Sequence, residues 1–409
     1  MEVLYERCAG LDVHQKSVVA CVRIHGPGGR AETTTRTFET HTAALMALSN
    51  WLEECGCTHV VMEATGVYWK PVWHVLEEEF ALVLANANFV RNVPGRKSDV
   101  SDAAWLADLL AHGLVRGSFV PDRATQELRD LTRTRKQMAR QRAQHVNRLH
   151  KVLEDANLKI GAYITDITGV SGRAMLNALI DGQTDPEKLA DLRAPRLKTP
   201  RAELVKSLRG KITSHHRFLL KMHLDQIDAA DRCIDNLEAQ IQELTRPLAE
   251  TVDLLAAMPG LSETSACVVL AEIGPDMSRF PTAKHLVSFA GLCPGLNQSA
   301  GKSRSNKLRK GSNWLKTVMV SCGWAAARSK NTYARAQFHR IKSRRGSKKA
   351  IIAVAASMLT AVYYMLRDRV PYRDLGAGYF DRRHPVKLAN RLRRRLESLG
   401  YSVTMQPAA

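Results

Sequence analysis

Lys97-Ser98-Asp99-Val100-Ser101-Asp102-Ala103 decides how the N-terminal region is read. Asp99 and Asp102 stand three positions apart at the head of an apolar-periodic segment, Val100, Ala103, Ala104, Leu106, Ala107 and Leu110, so both carboxylates fall on one side of a helix. A helix start suits acids, because unpaired amide N–H groups and the positive end of the dipole lie there. Taken alone, the pair reads as an N-cap Asp99 followed by a first-turn Asp102. The acids upstream give it a second meaning.

The sequence Arg7-Cys8-Ala9-Gly10-Leu11-Asp12-Val13-His14 reads as a strand with a carboxylate at its end, joined by a short turn to a second strand over residues 17–24. A third strand is expected around residues 30–38 and a helix over 42–54. His59-Val60-Val61-Met62-Glu63-Ala64-Thr65-Gly66 is a short apolar strand that ends on an acid, where open α/β sheets place their working groups. A helix from about residue 68 and a strand at Ala81-Leu82-Val83-Leu84 follow. The acids thus come in the order Asp12, Glu63, Asp99, Asp102, two at strand ends and two on a helix face. Three strands, a helix, a strand, a helix, a strand and a carboxylate-bearing helix is the order of a ribonuclease-H-like (RuvC-like) α/β fold, in which such acids converge on one edge of the sheet. Four converging carboxylates repel one another unless divalent cations neutralise them. Mg²⁺ is the expected ion, as a pair about 4 Å apart that stabilises the attacking and leaving oxygens of phosphoryl transfer. Singly, Asp12 reads as a turn acid and Glu63 as a surface acid; their combination carries the inference. His14 has lesser weight, since a lone histidine is more often a hydrogen-bonded structural group. Arg96 and Lys97 read either as phosphate contacts or as solvated loop charges.

Lys and Arg outnumber Asp and Glu by 60 to 40, a net charge of +20, which is the electrostatic footprint of a protein that meets a polyanion. Nucleic acid is the first candidate. A membrane is disfavoured by the absence of an uninterrupted apolar run of about 20 residues and of signal-peptide architecture in residues 1–16; a cytoplasmic location is expected. The cysteines form no C-x-x-C pair, so buried reduced thiols are expected rather than a zinc site or disulfide frame. At 409 residues the chain exceeds what one compact core usually serves.

After Pro121 the composition changes. Arg133, Arg135, Lys136, Arg140, Arg142, His145 and Arg148 interrupt a helical apolar stripe of Leu128, Leu131, Met138, Val146, Leu149 and Val152. So many cations on one long helix would repel each other without a polyanion nearby. RNA or DNA contact through residues such as Arg135 and Arg142 is therefore expected. Residues 160–210 read as a loop-rich helical insertion, and a second long helix resumes over 214–248. Together they suggest an antiparallel coiled coil whose seam is either an intramolecular core or an oligomer contact.

The C-terminal part is expected to be mainly helical. Around Met258-Pro259-Gly260-Leu261 the sequence is similar to a helix-hairpin-helix, whose turn lets backbone N–H groups approach phosphate; an ordinary helical hairpin fits equally well. The polar segment Cys293-Pro294-Gly295-Leu296-Asn297-Gln298-Ser299-Ala300-Gly301-Lys302-Ser303-Arg304-Ser305 reads as a solvated loop or as one holding a serine nucleophile. Lys302, Arg304 and Lys307 are candidate phosphate contacts. Tyr333, Phe338 and Trp324 are read as base-stacking or core aromatics. The basic tail from Asp381 is a further polyanion-binding candidate.

Gly10-Leu11-Asp12-Val13-His14, Glu63-Ala64-Thr65-Gly66 and Gly95-Arg96-Lys97-Ser98-Asp99-Val100-Ser101-Asp102-Ala103 closely resemble the motifs of the DEDD transposases of bacterial insertion sequences, relatives of the Piv-type DNA invertases. The resemblance implies a RuvC-like N-terminal domain, expected over residues 1–121, and a C-terminal transposase domain with the serine loop, expected over 247–370; the helical pattern places a basic coiled-coil region over 122–246 between them, and the charge a basic tail over 371–409, which the resemblance covers poorly. It implies that Asp12, Glu63, Asp99 and Asp102 form the metal-binding tetrad, and that a serine becomes covalently linked to DNA. Ser299 aligns best, with Ser303 and Ser305 as competitors because Ala300 separates Ser299 from Gly301. It further implies a structured bridge RNA as partner to target and donor DNA, assembly into a dimer or tetramer, and a bacterial cytoplasmic setting. The acids and Ser299 are then expected to meet in one active site, within a chain or between chains. A RuvC-like structure-selective nuclease, or a non-catalytic RNA- or DNA-binding scaffold, are the competing readings.

Overall fold

The computed structural model describes residues 2–26, 31–64, 66–86, 90, 93, 101–295, 298–299, 302–303, 307–383 and 385–406. Of residues 298, 299, 302, 303 and 387 the backbone alone is described. The chain forms two compact units, Met1–Val120 and Pro121–Ala409.

The first unit is built on a sheet of order β3-β2-β1-β4-β5. The strands are β1 (Arg7–Val13), β2 (Ser17–His25), β3 (Ala31–Glu39), β4 (His59–Glu63) and β5 (Ala81–Ala85). The first three run antiparallel as a meander, whereas β4 pairs with β1 and β5 with β4 in parallel. Each parallel step needs a crossover, supplied by helices α1 (Thr42–Glu54) and α2 (Trp69–Leu76). Alternation in β1 sends Ala9, Leu11 and Val13 to one face, where they pack with Leu48, Leu52, Val72 and Leu76 of these helices. The other face, with Cys8 and Val61, packs on Trp105, Leu106 and Leu109 of α3 (Asp102–Ala111). This mixed sheet between helices has the order expected for a ribonuclease-H-like α/β domain.

Gly10 fixes how closely α3 approaches. A Cβ there would lie 2.2 Å from Ala103 O and 2.5 Å from Ala107 N, so no other residue fits without moving the helix off the strand.

The second unit is helical apart from one small hairpin among the described residues. Its longest elements, α4 (Arg123–Asp155) and α9 (Ser214–Thr245), pack antiparallel as the sequence predicts. The pairing follows from Arg135 with Glu238, Arg142 with Asp231 and Asp155 with His216. Between them, α5 (Ile160–Tyr163), α6 (Val170–Ile180), α7 (Pro186–Asp191) and α8 (Arg201–Ser207) form a compact head. Leu149 and Leu153 of α4, Met175 and Leu176 of α6, and Leu220 and Leu224 of α9 share one buried core there. The insertion is thus packed helix rather than loop.

Beyond α9 come α10 (Ala249–Ala256), α11 (Glu263–Ile273), α12 (Ala283–Phe289), α13 (Asn313–Arg328), α14 (Tyr333–Arg345) and α15 (Ser347–Asp368). The turn between α10 and α11 uses Gly260 at φ +89°, and the space its Cβ would take is filled by Cys322 O and Ala326 N of α13. That side of the turn faces protein. Phe338 is buried with Trp324 5.4 Å away, and the half-buried Tyr333 ring stacks on Phe380 at 5.1 Å, so core packing accounts for Phe338, whereas Trp324 is exposed. By length and composition α15 is long and apolar enough to cross a bilayer, although Ser357 and Thr360 interrupt its apolar run. Val354, Leu359 and Val362 are fully buried within the unit, which accounts for its apolar character. A last pair, α16 (Tyr379–Arg383) and α17 (Pro385–Glu397), carries the basic tail.

All eight cysteines are free. Burial pushes the Cys8 thiol up to about 11, in agreement with inert thiols, whereas Cys233 is exposed.

Two consequences are measurable. Gly10→Val is expected to cost about 3 kcal/mol by overpacking at the α3 contact, seen as a lowered urea midpoint. On the α4–α9 seam, His223 is buried with its Nδ1 3.2 Å from that of His145. Desolvation, then the neighbouring His145 and Arg148 charges, hold its pKa below the ordinary histidine value. The unfolded chain therefore takes up this proton more readily than the folded one, so the contribution to stability is present above about pH 6.5 and is lost as the pH falls below it. Replacing His223 by Leu should flatten that acid limb in a pH series of thermal melts.

Candidate active site

Asp12 is the penultimate residue of β1 and Glu63 the last of β4. The parallel register pairs Leu11 with Met62, which sets the two acids side by side at the carboxyl ends of adjacent strands. Residues two apart on a strand share a face. Asp12 therefore lies on the side of Cys8 and Gly10, and Glu63 on the side of Val61, the face that α3 covers.

Helix α3 runs back along β1, its Ala103 and Ala107 over Gly10 and its Ala107 O accepting from Cys8 Sγ at 3.6 Å. Its amino end, and with it Asp102, consequently lies at the same end of the sheet as Asp12 and Glu63. The cap is Ser101, whose Oγ accepts from Ala104 N at 3.3 Å. The sequence reading that gave this role to Asp99 is corrected: Asp102 is the first helical residue, two places beyond a position Asp99 would need to close the first turn. His14 Nε2 sits 3.1 Å from Asp12 Oδ2, so histidine and acid form one hydrogen-bonded pair at the sheet edge.

Asp99, Arg96 and Lys97 lie outside the described residues. Among the described residues no three His, Cys, Asp or Glu side chains are grouped closely enough to hold an ion. Carboxylate oxygens are nonetheless the donors that a hard divalent cation prefers, and Asp12, Glu63 and Asp102 carry them at this end of the sheet.

In the second unit the serine segment is a hairpin rather than a loop. Gly295 N donates to Lys307 O at 2.9 Å and Arg309 N to Cys293 O at 3.1 Å. Farther out, β6 (Gln298–Ser299) pairs with β7 (Lys302–Ser303), Ser299 opposite Lys302 and Gln298 opposite Ser303. Ser299 thus occupies the last paired position before the tip. Arg304 and Ser305 lie outside the described residues, and Lys307 is exposed on the returning leg.

The hairpin's return leads into Ser312, the N-cap of α13, and here the structure holds a group that sequence reasoning missed. Ser312 Oγ donates to Glu272 Oε2 at 3.1 Å, and Glu272, 1% exposed, also accepts from Arg133 Nε at 2.8 Å and Nη2 at 2.9 Å. Arg129 donates to the carbonyls of Ala271 and Glu272. The signal was an acid inside the apolar run Cys267-Val268-Val269-Leu270-Ala271-Glu272-Ile273, which only a buried partner explains.

The basic helix α4 is also less free than its sequence suggests. Arg135 is ion-paired with Glu238 and Arg142 with Asp231 of α9, so the neutralising acids come from a helix far along the chain. Both arginines, expected to face a polyanion, are engaged within the protein. Arg133 and Arg140 both lie over the Trp314 ring, 5.4 and 5.6 Å from its centroid.

The first unit has the mixed five-stranded sheet of a ribonuclease-H-like α/β domain, with Asp12 and Glu63 at the ends of adjacent strands, and is joined in sequence to a helical part that carries a serine hairpin. A family model described as a transposase, the DEDD type of IS110, matches residues 9–158, and a second, described as Transposase IS116/IS110/IS902 family, matches residues 252–340. The chain belongs to the IS110 family of transposases. It is 32% identical over 142 residues to an uncharacterized 43.6 kDa protein of insertion element IS110 from Streptomyces coelicolor, covering 34% of each chain. It is 33% identical over 151 residues to the pilin gene-inverting protein of Moraxella bovis, covering 34% of this chain and 45% of that one. A putative transposase, y4qE, of Sinorhizobium fredii is 25% identical over 277 residues, 67% of this chain and 59% of that one. These matches span from about a third to somewhat over half of each relative's length.

The buried Glu272 defines a test of the hairpin's anchor. Arg133→Ala leaves that carboxylate without its bidentate partner and should destabilise the protein by about 3 to 5 kcal/mol, measured by urea denaturation. The double replacement Arg133→Met with Glu272→Leu should recover most of the loss.

Proposed function

We propose that this chain is a DNA transposase that cuts and rejoins the DNA of an insertion sequence through a serine–DNA ester. The observation that carries the reading is that Asp12, Glu63 and Asp102 all stand at the same end of the sheet, on the face that α3 covers. Asp102 also suits its place as a first-turn acid of α3, but carboxylates brought toward one another at a strand end raise one another's cost unless something positive joins them. Family membership and the net charge of +20 point the same way, to nucleic acid.

In the proposed reaction Ser299 Oγ attacks a DNA phosphorus. An oxygen–phosphorus bond to serine forms while the bond to the leaving sugar oxygen breaks. The serine proton passes to a base, and the leaving oxygen takes up a proton to become a hydroxyl. A hydroxyl on the strand to be joined then reverses the step and restores Ser299. The bond energy is kept in the ester, so no nucleotide hydrolysis is needed, and the chain has no P-loop sequence. Asp12, Glu63, Asp99 and Asp102 would hold Mg²⁺, expected as two ions, which supplies charge stabilisation at the reacting phosphate. His14 holds Asp12 in place through their hydrogen bond. Arg96, Lys97, Lys302, Arg304 and Lys307 would contact phosphate. A structured RNA encoded beside the gene would choose the DNA partners, and assembly would proceed as a dimer or tetramer.

The test incubates the protein with DNA bearing the element ends, RNA transcribed from the flanking non-coding segment, and Mg²⁺, then seeks a protein–DNA adduct on a denaturing gel. Ser299→Ala should abolish the adduct, a loss of at least about a thousandfold, while Ser303→Ala retains it. Asp12→Asn or Asp102→Asn should lower the rate by a similar factor with DNA binding kept. An adduct that survives in Ser299→Ala but not in Ser303→Ala moves the nucleophile. Cleavage with no adduct assigns a hydrolytic nuclease, and tight binding with neither assigns a scaffold.

A further inference from the structure

Beside the stem of the serine hairpin lies a cavity of about 730 Å³, a size that suits a small ligand. Its wall is mostly apolar: Leu292, Pro294 and Leu308 from the stem and its approach, and Ile352, Ala353 and Ala356 from α15. Its mouth is cationic, with the exposed Arg345, Lys348 and Lys349 on the turn between α14 and α15. No acidic side chain lines it among the described residues. One polar pair stands in the wall, where Gln337 Nε2 donates to Ser357 Oγ at 2.8 Å while the Gln337 carbonyl oxygen has no partner.

An apolar slot with positive charge at its lip matches a ligand that is flat and apolar at one end and anionic at the other. A nucleotide has that form. Its base would leave water against the α15 wall, its phosphates would remain at Arg345, Lys348 and Lys349, and a small rotation of the Gln337 amide would offer its oxygen to an N–H on the base's pairing edge. Pro294 and Leu308 face each other across the stem, five residues before Ser299. At about 3.4 Å per residue the slot lies within about 17 Å of that serine along the hairpin, or about five nucleotide steps of duplex.

We propose that this cavity receives one unpaired base of the DNA strand, a few nucleotides from the phosphate that Ser299 attacks, and so holds the strand in register with the hairpin. This rests on the reading of Ser299 as nucleophile, but binding does not require chemistry, so the experiment uses the full chain carrying Ser299→Ala. A single-stranded DNA oligonucleotide is scanned with one abasic site at each position in turn, and binding is measured by anisotropy. A 2-aminopurine is then placed at the most sensitive position.

One abasic position should weaken binding by about tenfold and the others little. The 2-aminopurine emission should change on binding. Ala356→Trp, which fills the slot, and the milder Ala353→Leu should remove both effects while far-ultraviolet circular dichroism stays native. Lys348→Gln with Lys349→Gln should lower affinity and flatten the salt dependence but keep the position preference. Equal affinity for every abasic oligonucleotide overturns the proposal, because the surface then reads phosphate alone. A wall variant that changes the sedimentation coefficient and leaves DNA binding intact also overturns it, and assigns the slot to a second copy of the chain. A missing adduct with wild-type Ser299, alongside an intact abasic preference, removes the nucleophile reading and leaves the base slot standing.

Discussion

The contact between Gly10 and α3 is the constraint from which the first unit follows. A helix lying on a sheet normally stands about 10 Å away, held off by side chains on both surfaces. Here the strand offers only hydrogen at its middle, and the backbone of Ala103 and Ala107 comes into direct contact with it. This lowers the amino end of α3 toward the carboxyl ends of β1 and β4. Asp102, as the first residue of that helix, therefore reaches the edge where Asp12 and Glu63 end their strands. The parallel register of β1 and β4 supplies the rest, because paired residues of parallel neighbours stand at one level. A slip of one residue in either strand would turn an acid into the opposite core.

The charge distribution follows a different logic. A net charge of +20 invites the idea of one continuous basic surface, and the long helix α4 looks like its centre. Yet three of its arginines are answered by acids of α9 and α11, so that Arg133, Arg135 and Arg142 serve the interior of the unit. Exposed positive charge stands instead where α14 ends and α15 begins, at Arg345, Lys348 and Lys349, and in the basic tail. Ion pairs of this partly buried kind orient helices more than they stabilise them.

How far the sequence reveals this differs with the range of the interactions involved. Strands and helices of the first unit are legible because alternation and helical periodicity are local, and so is the placement of Asp12 and Glu63 at strand ends. Taken alone, Asp99 fits the cap of α3 by a local rule that Ser101 satisfies equally, and the helix starts after Ser101. The head between α4 and α9 looked loop-rich because its helices are four to eleven residues long and draw their core from both long helices. The hairpin at Ser299 is not legible because two-residue strands leave no alternation to read; its stem is held by hydrogen bonds from Gly295 to Lys307 and from Arg309 to Cys293, between residues too far apart for a local pattern. The partners of Arg135 and Arg142 lie about a hundred positions away, beyond any window that pattern reading uses.

Glu272 shows why such distant pairs matter to function. Burying a carboxylate is costly, and even a good guanidinium partner seldom makes the exchange favourable against an apolar residue of similar shape. Its stability contribution therefore does not account for its presence. What it does is join three elements at one point: Arg133 on α4, its own helix α11, and the hydroxyl of Ser312 that caps α13. Ser312 N in turn donates to Phe289 O at 2.8 Å, so the two ends of the serine hairpin are brought together on the same support. A nucleophile borne on an untethered loop would lose much of its effective concentration to motion, whereas one at the end of a paired stem keeps a fixed reach. The charged group is thus best understood as a positioning device whose cost is offset by the geometry it imposes on the hairpin.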